Sequence, residues 1–179
     1  SLSFTIEAFS QIGEDIIGEE KGDRSGYSVS LSGDGSVVAI GAPMNGDNSE
    51  DYKNSARGHV KIFKNVNNNW TQVGNDIDGK KINISSGHSV SLSGDGSIVA
   101  IGAPMYGYWD SNNEFIDESG LVRIYQNVND SWTQIGSDIV GESETESSGD
   151  SVSLSADGSV VAIGAPGNDS NGTDSGLVR

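Results

Sequence analysis

Residues 28–43 read SVSLSGDGSVVAIGAP, and this stretch occurs three times in a chain of 179 residues. It returns as SVSLSGDGSIVAIGAP from Ser89 and as SVSLSADGSVVAIGAP from Ser151, with offsets of 61 and 62 residues. A long fixed period indicates a repeat architecture, because one unit cannot bury its own hydrophobic faces and needs a neighbour to cover them.

Each unit contains four short runs with strand character. The first run, SVSLS, alternates, so that Val29 and Leu31 lie on one face and the serines on the other. The second run, VVAIGA, is apolar on both faces, which is typical of a strand between two sheets. An Asp-Gly turn between these runs is a strong hairpin signal. The third run is GHVKIFKN, GLVRIYQN or GLVR, and the fourth is WTQVG or WTQIG.

Four antiparallel strands per unit, repeated at a fixed period, are typical of β-propeller blades. We predict an all-β chain with a β-propeller-type repeat of three four-stranded antiparallel blades of about 61 residues. The single domain, residues 1–179, comprises a fourth-strand segment plus blade 1 at 9–65, blade 2 at 70–127 and blade 3 at 132–179, truncated in its third strand. Closed rings usually have about four to eight blades, so we expect a larger ring or completion by oligomerisation. A β-solenoid is the main alternative.

The motifs that follow the repeated stretch point to a family. A GAP phrase ends at Pro43, Pro104 and Pro166, and G-x-V follows after a loop, as in Gly58-His-Val60. With these motifs the unit resembles the FG-GAP repeat, the blade of integrin α-subunit propellers, and most closely its bacterial and algal branch. The resemblance covers residues 9–179 and implies an extracellular or cell-surface module for adhesion or protein–protein interaction.

The resemblance also raises the question of whether the hairpin loops bind calcium. Family blades often carry several aspartates between the first two strands, whereas each loop here keeps one, at Asp34, Asp95 and Asp157. Calcium usually takes about six to eight oxygen ligands. These three aspartates are therefore expected to be turn residues.

The composition restricts the partners. With 26 acidic and 10 basic residues the formal charge is −16, which disfavours nucleic acid and anionic membranes. No apolar run approaches the roughly 20 residues that span a bilayer, so no membrane insertion is expected. Cations, basic proteins and neutral glycans are the better candidates, together with a homodimer or further blades of the same polypeptide. The absence of cysteine excludes disulfides and thiolate chemistry.

The loops between GAP and G-x-V differ most between units, and recognition is commonly placed in such loops. Two of them carry candidate calcium ligands, with calcium as the candidate cofactor. These are Asp169, Asn171 and Asp174 in the third loop and Asp47 and Asp51 in the first. The alternative is solvated negative charge that keeps the protein soluble.

Aromatic residues concentrate in the second of these loops, in a chain otherwise poor in them. They are Tyr106, Tyr108, Trp109 and Phe115. Aromatic rings stack on sugars and anchor protein interfaces, so this loop is a candidate ligand-binding site. A glycan-binding lectin that uses residues 106–115 is the alternative to adhesion, and a purely structural element of a surface protein or fibre is another. The bland alternative is that these rings fold down and cover the edge of a blade.

No enzyme constellation is present in the sequence. His59 and His88 occupy unrelated repeat positions, and no serine lies in a nucleophile motif. Trp70 and Trp132 recur in register with Phe9 and are expected to pack structurally. Asn-x-Ser/Thr sequons would accept glycans in a secreted eukaryotic protein. They begin at Asn69, Asn83, Asn129, Asn168 and Asn171.

Overall fold

The structure is a computed structural model that describes residues 10–46, 56–81, 84–109, 115–116 and 118–179. These residues form fourteen β-strands and no helix, which confirms the all-β prediction. Consequently the described part of the chain offers no helical segment of the length and apolarity needed to cross a membrane. Every strand pair is antiparallel.

The strands form three main sheets and one hairpin. Sheet 1 has the order β1 (Ser28–Leu31), β2 (Val37–Ala42), β3 (His59–Val66), β4 (Asn69–Gln72), and β5 (Ile77–Asp78) also pairs with β3. Sheet 2 has the order β6 (Ser89–Leu92), β7 (Ile98–Ala103), β10 (Leu121–Val128), β11 (Ser131–Val140). Sheet 3 has the order β12 (Ser151–Leu154), β13 (Val161–Ala165), β14 (Leu177–Val178). The hairpin pairs β8 (Tyr108–Trp109) with β9 (Phe115–Ile116).

The sheets are offset from the predicted blade boundaries. Trp70 lies opposite Asn65 and Trp132 lies opposite Asn127, so each W-T-Q segment pairs with the strand that precedes it. The short polar turn before each tryptophan reverses the chain and keeps the two strands in one sheet. Residues 70–72 therefore belong to the last strand of sheet 1. The predicted boundaries assign them to blade 2, which begins at Trp70 in that prediction.

Serines and aspartates of the repeated stretch build the first turn of each sheet. The Ser32 hydroxyl donates to Asp34 Oδ1 at 2.7 Å and accepts from the Val37 N–H at 2.9 Å, while the Ser36 N–H donates to the same carboxylate at 2.9 Å. The same bonds recur around Asp95 and Asp157. The three aspartates are thus turn residues.

We expect these turns to make the fold acid-sensitive. The Ser36 N–H and the serine hydroxyls lower the pKa of Asp34 from 3.8 to about 2, and the bond from Ser155 is the largest cause of a similar value, about 2, at Asp157. Because the folded pKa is depressed, this stabilisation is present above about pH 4 and is lost as the pH falls towards 2.

The measurement is urea unfolding between pH 2 and 6 for the wild type and an Asp34→Asn, Asp95→Asn, Asp157→Asn triple variant. The wild type should lose more free energy of unfolding than the variant as the pH falls. Parallel curves for the two proteins would refute this role of the turns.

Apolar side chains fill the two spaces between the sheets. The cluster between sheets 1 and 2 consists of Val37, Ala39, Val60, Ile62, Ile77, Val90, Leu92, Val99, Ile101 and Tyr125. The cluster between sheets 2 and 3 contains Ala100, Val122 and Ile163, with Ile124, Ile139, Val152, Leu154 and Val161 packed against it. Sheet 2 is therefore covered on both faces, as the doubly apolar pattern of its second strand, IVAIGA, predicts.

Polar groups of the first strands also join the sheets. The Ser28 hydroxyl donates to the Gly87 carbonyl at 2.8 Å, and the equivalent Ser89 hydroxyl donates to the Gly149 carbonyl at 2.7 Å. Backbone N–H groups of Leu92 and Leu154 donate back to Ser30 and Ser91 at 3.0 and 2.9 Å. Since equivalent residues make equivalent bonds, the three sheets stack in register.

The recurring tryptophans make the corresponding contact at the outer strands. Trp70 Nε1 donates to the Ile12 carbonyl at 3.0 Å, and Trp132 Nε1 donates to the Val73 carbonyl at 2.9 Å. Both tryptophans thus tie one repeat to the repeat before it, which is a structural role.

Candidate functional site

Three loops with a common base and different tips lie at one edge of the stack. They connect β2 to β3, β7 to β10 and β13 to β14. Each is closed by the same backbone bond: Gly58 N–H to Asn45, Gly120 N–H to Tyr106 and Gly176 N–H to Asn168, at 3.0, 3.0 and 2.9 Å. Since the sheets stack in register, equivalent loops leave from the same edge, which we call the variable-loop edge.

Tyr106 belongs to the base of the second loop and not to its tip. It is 9% exposed and packs with Ile84, Ala103 and Leu121. The Lys81 ammonium lies 4.8 Å from the ring centroid and donates to the hydroxyl at 3.1 Å. The Tyr106 ring therefore packs beneath the loop. This agrees with the alternative interpretation, in which the aromatic rings cover the edge of a blade.

The other predicted aromatic residues lie in the β8–β9 hairpin. Tyr108 is paired with Ile116, and Trp109 is paired with Phe115. The backbone thus brings Trp109 and Phe115 to one cross-strand pair, and both remain candidates for a binding site.

In the third loop, Asp169 closes the turn. Its Oδ1 accepts the Asp174 N–H at 2.7 Å, and its carbonyl accepts the Gly172 N–H at 3.1 Å. The Asn171 N–H donates to the Ser175 hydroxyl at 3.2 Å. These bonds close the loop into a turn, and calcium at this site stays a prediction. Asp47 and Asp51 lie outside the described residues.

One group of potential metal ligands was not anticipated from the sequence. Ligand atoms of Glu19, His59 and Asp76 lie within 4.8 Å of one another. The Lys61 ammonium, however, contacts the Glu19 carboxylate and lies 3.6 Å from Asp76 Oδ2. A metal ion would have to compete with this ammonium, so we interpret the group as an ion-pair cluster.

The repeat supports that interpretation. Arg123 and Asp138 occupy the positions of Lys61 and Asp76 in the next unit. The guanidinium donates to both carboxylate oxygens of Asp138, from Nε at 2.9 Å and from Nη2 at 2.6 Å. These bonds lower the pKa of Asp138, although burial opposes the shift. The recurrence of a Lys or Arg after G-x-V, and of Asp before Ile, was the available signal in the sequence.

The third unit pairs differently. Arg179 takes the position of Arg123, and its guanidinium contacts Glu146 at 3.2 Å and Glu142 at 3.4 Å. Glu146 is fully buried, and its Oε2 also accepts the backbone N–H groups of Glu142 and Ser143. The contact of Arg179 with Glu146 Oε1 lacks hydrogen-bond geometry, which leaves this buried oxygen without a hydrogen bond.

The two histidines lie in different surroundings. His59 Nδ1 is 3.7 Å from Asp76 in the ion-pair cluster. The His88 ring lies at a tilt against the Tyr27 ring, 4.9 Å between centroids, and contacts Asp150 at 3.3 Å. Both histidine side chains therefore take part in contacts with other side chains of the fold.

No protein-family model matches the chain, and a search of curated proteins gives no match.

Proposed function

We propose that the chain is a non-enzymatic β-propeller module of the FG-GAP-like type, which binds protein partners at an extracellular or cell surface. The observation that carries this proposal is the variable-loop edge, where three loops share one backbone closure and differ in length and sequence. A constant loop base that carries variable loops is typical of a binding surface on a repeated scaffold.

The strand arrangement supports the propeller part of the proposal. The first strands β1, β6 and β12 lie side by side, with β6 in contact with both of the others. The last strands β4 and β11 lie at the far side of their sheets. This order corresponds to inner and outer strands of blades around an axis.

Charge at the edge indicates what chemistry a partner would present. The second loop contains Asp110, Glu114, Asp117 and Glu118, and the third contains Asp169 and Asp174. A basic protein surface is the complementary choice, because opposite potentials steer association and fix orientation. We therefore expect binding that weakens as salt is raised.

The test is capture of surface or matrix proteins from the native source on immobilised protein. The loop variant replaces residues 47–55 and 110–114 with Gly-Ser segments of equal length. Because these residues fall in sequence between the two residues that close each loop, the substitutions leave the closures intact and the scaffold should keep its melting temperature. We expect capture by the wild type to fall at least about tenfold in the variant, a difference of about 1.4 kcal/mol.

A matched control places glycine at the opposite edge. Asn67, Asn68, Asn129 and Asp130 have positive φ values that glycine adopts without strain. The glycine variant should capture as well as the wild type. Equal capture by the loop variant, or no capture by the wild type, would count against the proposal.

A glycan ligand is the second candidate, because the β8–β9 pairing brings Trp109 and Phe115 together. Its test is a glycan array with the wild type and Trp109→Ala. Binding that disappears with Trp109 would favour the lectin, and binding indifferent to Trp109 would exclude it in this form.

A further inference from the structure

The two outer faces of the stack expose apolar residues whose repeat counterparts are buried. On the open face of sheet 1, Val29 and Leu31 are 63% and 59% exposed. Their counterparts in sheet 2, Val90 and Leu92, are 8% and 6% exposed because sheet 1 covers them. Sheet 1 thus presents the surface that sheet 2 uses to receive a neighbour.

The open face of sheet 3 presents the other half of that contact. Val160 and Val178 are 64% and 77% exposed. Their counterparts in sheet 1, Val37 and Val60, are 8% and 0% exposed in the interface with sheet 2. The two open faces therefore carry the two sides of the interface that already exists twice within the chain.

Gly164 on the open face of sheet 3 gives an independent indication. A Cβ at the equivalent Gly41 or Gly102 would lie 2.1 Å from a backbone carbonyl of the following repeat. At Gly164 the nearest atom is the Ser151 hydroxyl oxygen, at 2.3 Å, which belongs to a side chain that can rotate away. Glycine at this position would allow a further sheet to approach as closely as the neighbouring sheet does at Gly41 and Gly102.

Residues 10–13 form no strand, but they lie against the outer strand of sheet 1. The Ile12 carbonyl accepts the Trp70 indole N–H just as Val73, after the fourth strand of sheet 1, accepts that of Trp132. The segment at residues 10–13 thus makes the contact with Trp70 that the end of the outer strand of one repeat makes with the next repeat.

Opposite charges at equivalent repeat positions lie on the same two sides of the stack. Gln11 Nε2 donates to Asp15 Oδ1 at 2.9 Å, as Gln134 Nε2 donates to Asp138 Oδ1 at 2.8 Å. Asp138 has Arg123 as its cation, and Arg179 occupies the corresponding position in sheet 3. Asp15 is exposed and oriented by Gln11. The Arg179 side chain, which contacts Glu142 and Glu146 within its own copy, is still 32% exposed and can extend its contacts to the Asp15 of another molecule.

We propose that a second copy of this chain docks head to tail, with sheet 3 of one copy against sheet 1 of the other. Residues 10–13 then lie beside β14 of the partner's sheet 3, and Asp15 pairs with Arg179. By analogy with the internal interfaces, the Ser151 hydroxyl would donate to the Gly26 carbonyl, and the Leu31 N–H would donate to the Ser153 hydroxyl.

This contact is heterologous, so copies either close into a ring or extend into a filament. Two copies give six sheets, within the range of about four to eight blades in closed rings. A closed ring of two copies depends on the propeller arrangement proposed above. The contact between the open faces does not depend on that arrangement. Neither of them depends on what the loops bind.

The experiment is light scattering after size exclusion, between about 1 and 100 μM, which covers the micromolar affinity range. The wild type should reach twice the monomer mass of 18.6 kDa. Gly164→Ala on one face and Leu31→Glu on the other should each weaken association at least about tenfold. Asp15→Asn should weaken it less. Val66→Glu is the control, because Val66 is exposed at the end of β3, away from both open faces.

Mixing the two face variants separates head-to-tail docking from a symmetric contact. Gly164→Ala retains an intact sheet 1 face, and Leu31→Glu retains an intact sheet 3 face, so the mixture should regain one sound interface and form a heterodimer. Circular dichroism and melting at dilution check that each variant is folded. A wild type that stays monomeric to the highest concentration would overturn the proposal, as would dimers that persist in both variants. Filaments would support the contact between the two open faces but would contradict closure into a ring.

Discussion

Gly102→Ala is expected to destabilise the chain severely, whereas the same substitution at Gly164 is expected to be tolerated. A Cβ at Gly102 would lie 2.1 Å from the Gly149 carbonyl oxygen and 2.2 Å from the Ser89 hydroxyl. The hydroxyl can rotate, but the carbonyl belongs to the neighbouring sheet and can move only if the two sheets separate. Separation would break the bond from Ser89 to Gly149 and loosen the apolar contacts beside it.

We expect Gly102→Ala to lower the free energy of unfolding by about 3 kcal/mol or more, at the upper end for overpacked interiors. For a chain of this size the melting temperature should fall by about 6–12 °C. Urea and thermal unfolding measure both quantities, with Gly164→Ala as the matched control at a concentration where the protein is monomeric. Similar losses in the two variants would show that the serine contact, which both positions share, is the cause, and not the approach of the sheets.

Much of the fold could be predicted because the stretch at residues 28–43 contains local and long-range information together. Alternation in SVSL, the Asp-Gly turn and the doubly apolar VVAIGA specify a hairpin with one strand buried on both faces. Repetition then requires that hairpins stack. The assignment of W-T-Q segments to sheets was less accessible, because a repeat has no intrinsic starting point and pairing alone shows which strand each segment joins.

The candidate site was harder to predict because its loops do not repeat. Clustered aromatic residues do not reveal which ring lies in the base of the loop. Tyr106 occupies the position of Asn45 and Asn168, where the backbone carbonyl closes the loop and the side chain is free to vary. Its ring is buried because Ile84, Leu121 and Lys81 provide a pocket that no pattern near residue 106 announces.

The ion pair between two paired strands was missed for a related reason. Arg123 and Asp138 are 15 residues apart and face each other through the pairing of β10 and β11. In an acidic chain each carboxylate has many potential partners, and charge counting does not choose among them. Comparison of equivalent positions in the repeats would have singled out this pair.

Arg123→Met is the second substitution for which we expect a large effect. The side chain of Arg123 is 5% exposed and makes two bonds to Asp138, whose side chain is 30% exposed. Methionine retains the apolar stem but leaves the carboxylate without its cation. Breaking a fully buried pair costs about 3–5 kcal/mol, and because Asp138 is partly solvated we expect a loss of about 2–3 kcal/mol at neutral pH.

The loss should depend on pH in a defined direction. Bonds from Arg123 depress the pKa of Asp138 in the folded state, so the pair stabilises the fold above the ordinary aspartate pKa of about 3.9 and ceases to do so as the pH falls through the folded value. The difference in unfolding free energy between wild type and Arg123→Met should therefore be largest near pH 7 and shrink below about pH 4. Lys64→Met, which removes an exposed cation from sheet 1, is the control and should change stability by less than about 0.5 kcal/mol. A difference that is constant from pH 7 to pH 2 would mean that Arg123 acts through packing of its stem and not through its charge.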